Sequence, residues 1–128
     1  MRTPFRDDRG AAAVEFALVL PILVALTFGA IEYGRAYSAQ VTVTNAARVA
    51  VRSLVVGGTT ATARAAAVTA MTGLPNPSSI GTAGLAACPT DGTVPSRTVT
   101  VTYSFSSLTG FFFTTRTITG TGAMLCNS

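Results

Sequence analysis

The sequence predicts an α+β protein: a long N-terminal transmembrane-plus-stalk helix, a short second helix, and a small antiparallel β-sheet packed on the stalk. Three observations carry that expectation. Ala11 to Ile31 is an apolar run holding a single charge, Glu15. No strong helix breaker follows it until Gly57-Gly58. Further on, Thr98 to Phe105 alternates apolar and polar residues at period two, the signature of a half-buried strand.

The apolar run is long enough to cross a bilayer once, spanning about 32 Å as a helix at 1.5 Å per residue. Arg2, Arg6 and Arg9 precede it, and only Arg35 follows closely, with Glu32 beside it. This basic bias predicts a single pass through the cytoplasmic (inner) membrane, N-terminus inside and the bulk of the chain outside. Asp7-Asp8 lowers the net charge before the run, but acidic residues contribute little to the rule. Pro21 removes one helical hydrogen bond, so a kink is expected there, as membrane helices tolerate. Glu15 is the unusual residue. A carboxylate at a helix centre in lipid costs about 2.5–3.5 kcal/mol, less near the interface. A plain anchor has no use for it, which assigns position 15 a task.

Beyond Ile31, Tyr33, Tyr37, Val41, Ala47, Val51 and Leu54-Val55 fall at helical spacing, although Val41 to Thr44 locally reads as a strand. Arg48 and Arg52 share another face, read as solvated. Residues 11–56 are therefore expected to form one helix about 70 Å long. Its first half is apolar all round, and its second half carries a domain on the apolar stripe. The expected divisions are a cytoplasmic leader at 1–10, the membrane span at 11–31, the stalk at 32–56 and an extracytoplasmic α+β domain at 57–128. Within that domain, Gly57 to Thr60 is a turn with a threonine N-cap, and Ala61 to Met71 is a second helix ended by Gly73, Pro75 and Pro77. Leu74 to Pro95 reads as a loop. Two strands follow, Thr98 to Phe105 with Val99, Val101, Tyr103 and Phe105 on one face, and Phe111 to Ile118, extending to Met124. Phe111-Phe112-Phe113 is expected to pack on the stalk, with an interaction patch as the other reading.

Composition excludes several classes. All nine basic residues are Arg, there is no His, and the net charge of +4 is thinly spread, so nucleic acid is not an expected partner. Without His or Lys, and with Asp91 the only acid in the distal region, no nucleophilic triad or dyad can be assembled. Metal-ligand clusters and a phosphate-binding glycine loop are also missing from the sequence, so no enzyme activity, metal or cofactor is expected. Cys88 and Cys126 both lie beyond the apolar run. In an oxidising compartment they pair, tying the Cys88 loop to the last strand for roughly 4 kcal/mol; two buried free thiols are the alternative.

The segment from Gly10 to Pro21, with Glu15 inside it, resembles the N-terminus of TadE-like pseudopilins of the tight adherence (Tad/Flp) pilus system, a branch of the type IV pilus class. The likeness continues through Ile31 to Arg35, Ala46 to Arg48, and Arg52. It implies that a prepilin peptidase cuts between Gly10 and Ala11, making Ala11 the first mature residue. It also implies that Glu15 meets the new N-terminal amine of a neighbouring pilin or pseudopilin. The other reading of Glu15 is a simple complement to the helix dipole, worth at most about 1 kcal/mol. The implied partners are the membrane, the peptidase, other pilins and the Tad assembly platform. Two competing expectations stand beside this one: an uncut, signal-anchored binding domain, and a secreted protein whose signal peptide is removed near Gly29-Ala30 or Ser38-Ala39.

Overall fold

The computed structural model describes residues 8–77, 81–89, 95–110 and 114–126, with side chains from Gly10 onward. Helix α1 runs from Asp8 to Val55, 48 residues or about 72 Å, without interruption at Pro21. It begins upstream of the expected start at Ala11, so the last residues of the expected leader are already helical. The leader's residues 1–7 and Phe111 to Phe113 lie outside the described residues.

Gly57 ends α1. Its φ of 90° is open to glycine at little cost, and Gly57 and Gly58 donate backbone hydrogen bonds to Leu54 and Ser53 carbonyls. Helix α2, Thr60–Ala70, starts at the expected threonine cap, where Thr59 Oγ1 accepts from the Thr62 N–H at 3.2 Å. Three antiparallel strands follow, β1 (Gly81–Ala83), β2 (Ser96–Ser106) and β3 (Thr115–Leu125), in the order β1-β2-β3. The β2–β3 hairpin is in unbroken register from Ser106↔Thr115 to Ser96↔Leu125. Strand β1 lies in the tract expected to be loop, pairing Gly81↔Thr102 to Ala83↔Thr100. Its Gly-Thr-Ala sequence has no strand signal, and pairing with β2 is what makes it extended. The second hairpin strand is described from Thr115, and the expected start at Phe111 lies outside the described residues.

Helix α2 and the sheet both pack on the distal half of α1. The core joins Val43, Val51 and Leu54 of α1 to Met71 after α2 and to Val99 and Val101 of β2. All four expected inward residues of β2, including Tyr103 and Phe105, are buried. The stalk stripe requires a correction. Ala47, Val51 and Leu54 are buried, but Tyr33 is 74% exposed, Tyr37 63% and Val41 54%. The buried stripe is instead alanine-rich: Ala39, Val43, Ala46, Ala47, Ala50, Val51 and Leu54.

The reason lies on β3. A Cβ placed on Gly120 would come within 2.7 Å of the Thr44 backbone, and one on Gly122 within 2.6 Å of the Ala47 carbonyl oxygen. Helix and strand meet backbone to backbone, and a face of large side chains does not fit there. Cys88 and Cys126 are bonded, closing the end of the domain where β3 finishes.

This contact makes a direct prediction. Gly122→Ala should destabilise the domain by about 1–3 kcal/mol through overpacking against a helix backbone that cannot yield. Denaturant unfolding of the full chain in detergent, followed by circular dichroism, measures it. Gly73→Ala, with nothing within 4 Å of the added methyl, is the control expected to show no such loss.

Candidate functional site

Two regions of α1 concentrate the chemistry. The first is the membrane-proximal start. Gly10 and Ala11 lie early in the helix, and Glu15 follows about 7.5 Å along the axis. From Gly10 to Ile31 nearly every side chain is exposed, including Phe16 at 63%, Leu18 at 70% and Leu26 at 68%. This part of the helix is long and apolar enough to cross a membrane, and none of its most apolar window is buried within the protein. Glu15 is exposed within that surface and forms no ion pair among the described residues. The structure thus keeps Gly10, Ala11 and Glu15 on one helix, away from the distal domain that holds Cys88 and Cys126.

The second region, not anticipated from the sequence beyond its charge pairing with Arg35, is Glu32. Its side chain sits at the point where α1 leaves the apolar run and is only 3% exposed. Oε1 accepts from the Leu108 N–H at 2.8 Å, the Ser107 hydroxyl at 2.9 Å, the Thr109 N–H at 3.0 Å and the Thr109 hydroxyl at 3.2 Å. These donors all come from the turn between β2 and β3. Oε2 lies 3.9 Å from Arg35 Nη1, whose guanidinium in turn stands 5.3 Å over the Phe105 ring centroid. A buried carboxylate is tolerated only when hydrogen-bonded and neutralised, and this turn supplies the bonds. A sequence signal did exist: Ser107, Thr109 and Gly110 make a turn rich in hydroxyl and backbone donors, but nothing local says which acid they serve.

Burial opposes ionisation of Glu32, yet the hydrogen bonds from Thr109, Ser107 and Leu108 outweigh it and hold its carboxyl below the ordinary carboxylate range. Burial pushes the Tyr103 phenol up, and the nearby Arg35 charge partly opposes this. The phenol donates to the Pro75 carbonyl at 2.6 Å, joining β2 to the segment after α2.

Fold and site together define a class: a single apolar helix, suited to a single-pass membrane anchor, that carries a small disulfide-closed α+β domain on its distal half. Residues 10–52 match the family model described as TadE-like protein. The match takes in Gly10, Glu15, Pro21, Glu32, Arg35, Arg48 and Arg52, and stops before α2. The likeness to that family covers about a third of the chain and lies wholly within α1. No curated protein and no solved structure matches the chain.

The Glu32 clasp carries a pH signature. With the folded pKa below the usual 4.5, its stabilisation is fully present above that pH and is lost as pH falls through the lower folded value. Thermal unfolding of the full chain across the acid range should show a declining limb that Glu32→Gln flattens, while lowering the melting temperature at neutral pH. Parallel curves for the two proteins would exclude the clasp.

Proposed function

We propose that the chain is a membrane-anchored pseudopilin, a minor pilin that helps assemble or prime a Tad/Flp-type pilus for adherence and has no catalytic activity of its own. The observation that carries this reading is the TadE-like match over a helix whose apolar half exposes Glu15 with no ion-pair partner among the described residues. Prepilin peptidase cuts between Gly10 and Ala11 on the cytoplasmic side. Peptidases take extended backbone, and this bond lies near a helix start, where glycine weakens the helix by about 1 kcal/mol relative to alanine. Nothing stands within 4 Å of where a Gly10 side chain would be.

The cut creates an ammonium group at Ala11, at the edge of the bilayer. A lone ammonium and a lone carboxylate are both unfavourable in lipid, and pairing relieves both. Glu15 of one subunit meets the Ala11 amine of the next, so assembly brings the two charges together. The uninterrupted helix favours this over a cleaved signal peptide. Removal of residues up to Ser38 would take Glu32 and Arg35 with it, and the hairpin turn would lose its acceptor.

Mass spectrometry of the protein from its native membrane should find the mature N-terminus at Ala11. A terminus at Met1, Ile31 or Val41 would overturn the reading, in favour of an uncut anchor or a cleaved signal peptide. Glu15→Ala is expected to leave membrane insertion intact and to reduce surface pili sharply, scored by electron microscopy. Normal piliation would remove the pairing role.

A further inference from the structure

The free edge of β3 and the arginines of α1 form one surface that neither the anchor nor the Glu15 pairing uses. Two backbone bonds establish which groups face outward. The Cys126 N–H donates to the Pro95 carbonyl, and the Ser107 N–H donates to the Thr114 carbonyl, so Cys126 and Thr114 are hydrogen-bonded partners of the neighbouring strand. The register between them is continuous. In an antiparallel ladder these pairs alternate, so the even-numbered residues of β3 bond to β2. Thr115, Thr117, Thr119, Thr121, Ala123 and Leu125 therefore turn their N–H and C=O groups to the open edge. Among the described residues, Gln40 Nε2 covers the Thr119 carbonyl at 2.9 Å, and no strand pairs with this edge. Strand β3 has no proline or bulge to blunt it.

Beside this edge runs a groove of about 580 Å³ between α1 and β3, lined by Asn45, Arg48, Val49 and Arg52 on one wall and Thr121 and Ala123 on the other. Arg48 and Arg52 are exposed and have no acidic partner among the described residues. Helix and strand advance together: Gln40 meets Thr119, Thr44 meets Gly120 and Ala47 meets Gly122. Four helical residues rise about 6 Å. Two residues of extended chain advance about 6.8 Å. An added strand carrying carboxylates at alternate positions thus matches the spacing from Arg48 to Arg52.

We propose that this surface is a docking site for an extended acidic segment of another protein, which adds to β3 as a further strand and places alternate carboxylates on Arg48 and Arg52. Main-chain bonds give such strand addition its affinity, and side-chain pockets give its specificity. A second copy of this domain does not fit the charge. Downstream of Glu32 the sequence carries Arg35, Arg48, Arg52, Arg64, Arg97 and Arg116 against a single acid, Asp91, so two such edges repel. The inference goes beyond the pilus reading and is tested separately from processing at Gly10.

Fluorescence anisotropy of the full chain in detergent tests it, with labelled peptides of β3's length that alternate Thr with Glu or Thr with Lys. The Thr/Glu peptide should bind saturably and the Thr/Lys peptide should not. N-methylation of alternate Thr/Glu residues, made in each of the two registers, should weaken binding about tenfold or more in one register by removing the ladder donors. The double variant Arg48→Glu, Arg52→Glu should weaken it by about as much. Absence of Thr/Glu binding overturns the proposal. So does equal binding of both N-methylated peptides, which would mean charge attraction alone, or an affinity indifferent to the arginine changes. A stable dimer by light scattering that Thr121→Pro dissolves would assign the edge to a second copy instead.

Discussion

The backbone contact between α1 and β3 is the constraint on which the rest of the domain depends. Gly120 and Gly122 let the strand settle onto the helix near Thr44 and Ala47, closer than any side chain would allow. Where the strand lies against it the helix offers small residues, and Ala39, Ala46, Ala47 and Ala50 join Val43, Val51 and Leu54 in the buried stripe. Tyr33, Tyr37 and Val41 of the same helix are left outside. The contact also explains how a domain with few large core residues holds together. Close packing of backbones brings many weak dispersion contacts into range, and the core around Leu54, Met71, Val99 and Val101 closes over the remaining gap.

Glu32 extends that contact to the membrane end of the domain. Its Oε1 gathers donors from the turn between β2 and β3, so the hairpin is held at two levels, by glycines at the middle and by a carboxylate at its tip. The disulfide holds the opposite end, just past Leu125. The sheet is therefore attached along its length to a helix whose other half is apolar all round. The apolar half joins the domain through α1 itself, with no flexible linker between the two among the described residues.

The two carboxylates of α1 illustrate opposite solutions to one problem. Glu32 is buried and satisfied within its own fold, and its ionised form is favoured there. Glu15 lies in the apolar surface without an acceptor's usual partners among the described residues. The sequence distinguishes them only partly. The place of Glu15 between a glycine and an apolar run marks it as unusual, whereas Glu32 in Ile-Glu-Tyr-Gly-Arg reads as an ordinary helix-surface acid beside Arg35. Its burial depends on a turn 76 residues away in the chain.

What the sequence determined alone was whatever local periodicity and breakers encode. The unbroken helix ending at Gly57, the threonine cap of α2, the apolar half of α1 and the inward face of β2 all follow from residues within a few positions of one another. Strand β1 was not legible, because a Gly-Thr-Ala segment becomes a strand only when β2 is beside it. Which face of the stalk is buried was likewise decided by the tertiary structure. Helical spacing identifies apolar faces but not how near the partner will come, and that distance was set by two glycines on a strand far along the chain.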